Sequence, residues 1–411
     1  MPLPPARVEH NVKLVAHHTL EGAPNIGEGM AMKITDDGRR LLYLANENPP
    51  MAMSLLDVTD PTNPELVWQL PCEHDKVRGN SLSLFGDTLL LANQVTDAGM
   101  VPAGVHVFDI STPEKPEQVG FFDTSGPHSK GVHFVSFMDG RFAHIASGAA
   151  DFEPNHPEDH QFYMIVDLED RENPREVGRW WVPGQRTGDV ETIERHTEFD
   201  SGFRVHHTLC YPQRPDRAYL GYIDAGLIIL DISDKANPKQ ISRLDYHPPL
   251  PGFTHTPVPL FDRGLMVLSD EANTVHDGAD WPKRYWMLDI REETNPVMLS
   301  SFPVPENFEQ LHKQGGRIGA HNIHENEPVP GSAQLTNTCV ATWFSAGLRV
   351  YDIRDKFTPK EIGAFLPETP DGQQGSRISE VYIDDRGYIF VGDRDKGGVY
   401  ILEWTGPIPL D

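Results

Sequence analysis

Short apolar runs that close on an acid recur along the chain: Ser54–Val58, Val105–Ile110, Met164–Leu168, Ile228–Ile232, Trp286–Ile290 and Arg349–Ile353. Their aspartates, Asp57, Asp109, Asp167, Asp231, Asp289 and Asp352, lie 52 to 64 residues apart. A proline stands seven residues beyond every one of them, at Pro64, Pro116, Pro174, Pro238, Pro296 and Pro359. Runs this short, rich in Ile, Leu, Val and aromatic residues, suit a strand covered on both faces. The Asp, Ser, Thr and Asn that follow bond their own backbone in a turn. Proline then enters where no ladder N–H is needed and opens another strand, as in Pro238–Leu244.

Upstream of each run lie two further strand-like segments joined by a turn, for example Asn80–Leu84, then Gly86 and Asp87, then Thr88–Asn93. Each repeat thus supplies about four short antiparallel strands, the blade of a β-propeller. A seventh, altered unit runs through Gly387–Asp393 and Val399–Glu403, with Glu403 in the aspartate's place, and stops before its outer strand. Val12–Leu20 precedes the first blade and resembles the outer strand Pro64–Leu70. Pairing the two termini closes the ring and removes an open sheet edge. The pattern predicts an all-β fold, a single seven-bladed β-propeller domain over residues 1–411, with an N-terminal strand at roughly 12–20 completing the last blade.

This repeat is similar to that of the LVIVD-repeat proteins, in which three apolar residues, Asp, Ile or Val, Ser, Asp, two variable residues, Asn and Pro recur once per blade. Ile228–Pro238 is the best instance, and the resemblance extends over nearly the whole chain. It implies the propeller fold and says almost nothing about chemistry. Many proteins of that family are extracellular or surface-anchored. This chain differs in opening with Met-Pro-Leu-Pro-Pro-Ala-Arg, which has no apolar signal region.

Charge narrows the partners. Lys and Arg total 35 against 61 Asp and Glu, a formal net charge of −26, which repels phosphate backbones and anionic lipid surfaces. Neither nucleic acid nor membrane is expected as a partner, and a cytoplasmic location follows from the absence of any long apolar run. Cys72, Cys210 and Cys339 are odd in number and widely spaced, as reduced thiols packed like small apolar side chains would be. No nucleotide-binding glycine loop, serine-hydrolase elbow, His-Glu-x-x-His or Cys-x-x-Cys motif is present.

Candidate chemistry rests on histidine placement. When the first strand of each repeat is aligned, four of seven carry histidine at one position, namely His133, His207, His255 and His321, and a fifth carries Glu380. In a propeller this strand is innermost, so equivalent positions ring the axis. Imidazoles converging from separate strands beside a carboxylate form a ligand set for iron, copper, manganese or zinc. A packing role would favour Val or Ile there instead.

The competing explanation is a hydrated channel whose histidines bond water and carbonyls. Alternation in a regular strand lets only one of His206 and His207 face the axis. The apolar residues at i+2 and i+4 favour His207, and the valine before the pair favours His206. His324 falls on the opposite face from His321 and is suited to orienting a neighbour. Arg78, Arg204, Arg317 and Arg377 precede inner strands, to bind an anionic substrate or to pair with the surplus acids. His128 and His196 lie in loops leading to those strands. The second strands end in Asn46-Glu47, Asn93-Gln94, Asp224, Asp270-Glu271 and Asp393-Arg394, read mainly as turn formers.

The first functional reading is a metalloenzyme acting on a small organic molecule. Here His133, His207, His255 and His321 are ligands and Glu380, His324 and Arg317 are catalytic candidates, with oxidative chemistry placed ahead of hydrolytic or lyase chemistry. Such a centre is similar in outline to the iron site of carotenoid oxygenases, in architecture and not in sequence. A non-catalytic scaffold is the second reading, and a metal-independent lyase or isomerase using a histidine with Glu380 is the third. The insertions at Pro248–Pro251 and Pro183–Phe203 suit either a cap over the pocket or a contact in a homo-oligomer.

Overall fold

The computed structural model describes residues 6–195, 200–273, 283–306, 308–313 and 316–411. Among these, seven four-stranded antiparallel sheets form the blades of a propeller. Blade one runs from inner to outer edge as Ile26–Ile34, Arg40–Asn46, Met51–Asp57 and Glu65–Pro71. Blades two to five repeat that order. The core lies in the sandwiches between neighbouring blades, which is why the third strands are apolar on both faces. No helix among the described residues is long and apolar enough to cross a membrane.

Closure follows the expected route and adds to it. The outer strand of blade seven is Val12–His18, paired antiparallel with the C-terminal strand Gly398–Trp404. The preceding segment Ala6–His10 pairs with Lys360–Pro367 on the edge of blade six, so the N-terminal chain ties two blades together. Asn11 makes the crossing in a left-handed conformation, φ 54°, which asparagine tolerates better than most residues. Its side chain donates to the Ile362 carbonyl at 2.6 Å, and its own carbonyl accepts from the Thr405 N–H at 3.0 Å.

The repeat motif has a specific mechanical meaning. Every repeat aspartate accepts the backbone N–H two residues on: Asp57 from Thr59, Asp109 from Ser111, Asp167 from Glu169, Asp231 from Ser233, Asp289 from Arg291 and Asp352 from Arg354, at 2.9–3.1 Å. Three residues past each repeat proline, the outer strand then carries one residue outside the ladder. These are Val67, Val119, Val177, Ile241, Leu299 and Ile362, with Val15 the equivalent in blade seven. Each is apolar and partly buried against the core. A bulge at this point sharpens the local twist of the outer edge.

Candidate metal centre

Near the N-terminal end of the inner strand, five blades also bulge, and these bulges build the site. The ladder skips between Ile26 and Met30, Gly79 and Ser81, Val132 and Phe134, Thr254 and Pro257, and Ile378 and Glu380. Glu28, Asn80, His133, His255 and Ser379 occupy the gaps. A bulged residue escapes strict alternation, so its side chain is free to be re-aimed. Blade four contributes His206 and His207, where the strand His207–Leu209 begins. Blade six contributes His321 from an extended segment whose N–H donates to the Thr342 carbonyl at 3.0 Å.

The imidazoles of His133, His207, His255 and His321 come together with that of His206. Ring centroids lie 4.1 Å apart for His133 and His206, 3.9 Å for His206 and His255, 4.4 Å for His207 and His255, and 4.5 Å for His255 and His321. Both members of the His206-His207 pair join the cluster, their rings stacked at 5.2 Å. Alternation does not separate them because His206 precedes the regular strand. His206 turns Nε2 to within 2.8 Å of His133 Nε2, while His207 turns its Nε2 toward Glu325 Oε1 at 3.3 Å.

Two carboxylates complete the cluster, Glu28 from blade one and Glu271 from the end of the second strand of blade five. Arg394 binds Glu28 through Oε1, and Arg317 binds Glu271 through Oε1. Each Oε2 is left to the imidazoles: Glu28 Oε2 lies 3.4 Å from His133 Nε2, and Glu271 Oε2 lies 3.5 Å from His206 Nε2 and 3.6 Å from His255 Nε2. His321 Nε2 sits 3.4 Å from a carboxylate oxygen of both. Two four-residue sets, Glu28, His206, His207 and His255, and Glu28, His255, Glu271 and His321, each place one donor atom per residue within 4.8 Å of all the others.

Surrounding groups set the ring orientations. His321 Nδ1 donates to the Ser379 carbonyl at 2.6 Å, which leaves its Nε2 lone pair facing the carboxylates. His255 Nδ1 is 2.7 Å from Thr256 Oγ1, Thr256 donates to Asn322 Oδ1 at 3.3 Å, and Asn322 Nδ2 donates to Glu380 Oε2 at 2.8 Å. His255 Nε2 and Glu28 Oε2 are both buried and have no hydrogen-bond partner. Burial lowers the pKa of His133, His206 and His255, and takes that of His207 down to about 3, so these rings stay neutral with lone pairs available.

Such a donor set fits a cation. Two donors each about 2.1 Å from a common centre stand roughly 3.4 Å apart at tetrahedral angles, close to the spacing of His133 Nε2 from Glu28 Oε2 at 3.4 Å and of His206 Nε2 from Glu271 Oε2 at 3.5 Å. Uncharged nitrogens and carboxylate oxygens are ligands shared by iron, copper, manganese and zinc.

The sequence-derived catalytic candidates are placed differently from one another. Arg317 is in the cluster, bonded to Glu271 and lying 4.1 Å over the Phe344 ring. Glu380 lies one step back, holding Asn322 and the Val381 N–H; the residue of blade seven equivalent to His133 is Ser379, because the bulge shifts the alignment by one. His324 stands outside the cluster with both ring nitrogens on backbone, Nε2 donating to the Ala333 carbonyl at 2.9 Å and Nδ1 accepting from the Ile383 N–H at 3.2 Å.

Glu380, with Glu325 and Glu327, lines a small acidic cavity that Glu28 also reaches. Burial raises the carboxyl pKa of Glu325 and Glu327 to about 8, with Glu28 adding to the first and Glu325 to the second.

Glu28 was not singled out in the sequence, since regular alternation put Met30 at its position. Glu271 and Arg394 were noted only as strand ends. The informative signal is the dipeptide. Only Asp393 bonds its own turn, accepting from the Asp395 N–H, while Asn46 and Asp270 bond the backbone of other segments at Ala23 and Arg284; the next residue in each case, Glu47, Glu271 or Arg394, points inward. Arg394 joins Glu28, Glu47 and Glu271, with its Nε 2.6 Å from Glu47 Oε2.

A cavity of about 430 Å³ opens over the cluster, with His133 and His206 on its floor and Arg78, Lys130, Gln161 and Arg204 on its walls. Arg78 pairs with Glu47 at 2.5 Å, and Arg204 lies 3.4 Å from Glu158. Arg377 pairs with Asp395 at 3.4 Å away from the centre. His128 sits in the turn closed by Gly126 and Ser129, and His196 lies outside the described residues.

A buried ring of imidazoles and carboxylates at the hub of a seven-bladed propeller defines the class to which this chain is compared. The LVIVD repeat model matches residues 216–245, the second to outer strands of blade four. This chain is thus a β-propeller that carries an LVIVD repeat. No curated protein matches its sequence. Among solved structures, the β-propeller domain of Cps50 (Swd1) from Myceliophteria thermophila is similar in fold, with TM-score 0.56, 13% identity, and coverage of 95% of this chain and 99% of that one. Identity at that level concerns the fold alone.

Proposed function

We propose that the hub of the propeller holds one transition-metal ion and that the protein is a metal-dependent enzyme acting on a small organic molecule admitted through the 430 Å³ cavity. One observation carries this reading: Glu28 and His255 are the two residues common to both candidate donor sets, and each has a buried atom, Oε2 and Nε2, without a hydrogen-bond partner. A polar atom left unpaired in a dry interior costs about 1–3 kcal/mol, and a cation shared between the two removes that cost. When bound, iron, copper or manganese would supply redox chemistry toward dioxygen and zinc would supply Lewis acidity; oxidative chemistry ranks first.

The chain's own residues would do the rest. His255 and His321 are oriented through Thr256 and the Ser379 carbonyl, and Glu28 and Glu271 are fixed by Arg394 and Arg317. His133 and His206 form the surface that a bound molecule meets.

The arginines favour a second reading. Arg394 and Arg317 already neutralise Glu28 and Glu271, so the cluster can be balanced without an ion and used for acid–base chemistry alone. Elemental analysis of protein purified without an affinity tag separates the two. A near-stoichiometric metal in the wild type, lost in His255→Ala and His321→Ala variants that retain the wild-type circular dichroism spectrum, supports the metalloenzyme. Absence of metal from every growth condition, with activity or ligand binding insensitive to chelators, overturns it.

A further inference from the structure

The walls of the mouth cavity carry a charge pattern unlike the rest of this acidic chain. Arg78, Lys130 and Arg204 face it from three different blade-connecting loops or strand starts, beside Lys76 and the acids Glu47, Asp75 and Glu158. Arg78 is already engaged by Glu47 and Gln94, and Arg204 donates to the Ser201 carbonyl and reaches the Glu158 carboxylate at 3.4 Å. Lys130 forms no salt bridge among the described residues, although the chain's net charge is −26 and carboxylates are abundant. Gln161 lines the same cavity, only 3% exposed, and its carboxamide makes no hydrogen bond among the described residues; its Nε2 is buried without a partner. A lining ammonium without a salt bridge and a buried amide N–H without a partner are complementary to an oxyanion and not to a cation or a hydrocarbon.

We infer that the cavity binds a small organic acid, its carboxylate held by Lys130, Arg204 and the Gln161 amide and its remaining atoms directed at His133 and His206. This rests on reading the cavity as the substrate site, and it names the substrate class. Glu47 pairs with Arg78 and Glu158 with Arg204; of the two lining lysines that form no salt bridge among the described residues, Lys76 is exposed and Lys130 is half-buried, which makes Lys130 the stronger anchor for the ligand. A neutral isostere forfeits the charge-assisted bonds and leaves Gln161 unsatisfied, so it binds at least tenfold more weakly.

The test is calorimetric titration with monocarboxylates of two to ten carbons, benzoate among them, each paired with its primary amide. Titrations use the wild type, Lys130→Met, Gln161→Leu, and the His255→Ala variant designed to lack metal. The expected result is a preference of tenfold or more for at least one acid over its amide. That preference falls about tenfold in Lys130→Met and persists in His255→Ala, so that it is read independently of the metal. Equal binding of acid and amide, no binding of any acid, or an acid preference that vanishes in His255→Ala yet survives in Lys130→Met would each overturn the inference. If Gln161→Leu fails to fold, the Lys130→Met and His255→Ala arms decide the matter alone.

Discussion

Arg394 is the residue on which the electrostatics of the hub turn. It is buried, and it joins Glu28, Glu47 and Glu271, two carboxylates from blade one and one from blade five. Removing one partner of a buried ion network leaves charge uncompensated, at a cost of about 3–5 kcal/mol. Arg394→Met is therefore expected to lower unfolding free energy by that amount, measured by urea denaturation; a change under about 1 kcal/mol would mean the three acids are not held as charges.

The acids on the other side of the hub behave oppositely. Glu327, raised to about 8 from 4.5 chiefly by burial, keeps in the folded state a proton that the unfolded chain releases. Stability accordingly falls as pH rises between about 4.5 and about 8. In Glu327→Gln the urea midpoint is expected to decline less over that window, and an unchanged decline would assign the slope to other groups.

Little of this was legible in the sequence. His133, His255 and His321 could be found because they repeat at strand-like spacing. Glu28 could not, since three residues of blade one stand opposite one on the partner strand, and no periodicity reveals a bulge of that size.

At the level of elements, the repeat aspartate and proline gave reliable notice of the turn and of the outer strand, because their effect is local: the carboxylate caps its own turn. The inner-strand bulges are set by neighbouring blades. Gly221 shows how close those neighbours come, for a Cβ built there would stand 1.7 Å from the carbonyl oxygen of His255. No such contact is possible, so Gly221→Ala must push the His255 strand away. It is expected to destabilise by about 1–3 kcal/mol in thermal or urea unfolding and to reduce metal content. Wild-type stability and metal loading in that variant would show that the backbone contact does not position the site. The one-residue misalignment of Glu380 has the same origin, since blade seven bulges at Ser379 and passes the bulged position to a serine whose carbonyl, not side chain, serves His321.

Across the whole molecule, seven sheets and their closure by the N-terminal strand were readable because a ring has no other way to finish its last blade. The second tie, Ala6–His10 on blade six, was not, since nothing in that segment distinguishes it from a disordered leader. A chain lacking residues 1–18 loses both ties and exposes the edges Gly398–Trp404 and Lys360–Pro367. It is expected to aggregate in light scattering and to unfold at lower guanidinium concentration, whereas removal of residues 1–10 alone leaves the ring closed and costs far less. Equal behaviour of the two truncations would contradict the closure described here.

Convergence of separate blades on one ion is the claim with most at stake, and anomalous diffraction at a metal absorption edge tests it most directly. A single anomalous peak is predicted among Glu28 Oε2, His255 Nε2 and the neighbouring imidazoles, about 2.1 Å from each ligand atom. Crystals of metal-containing protein with no peak there, or with the peak among Glu325, Glu327 and Glu380, would contradict it.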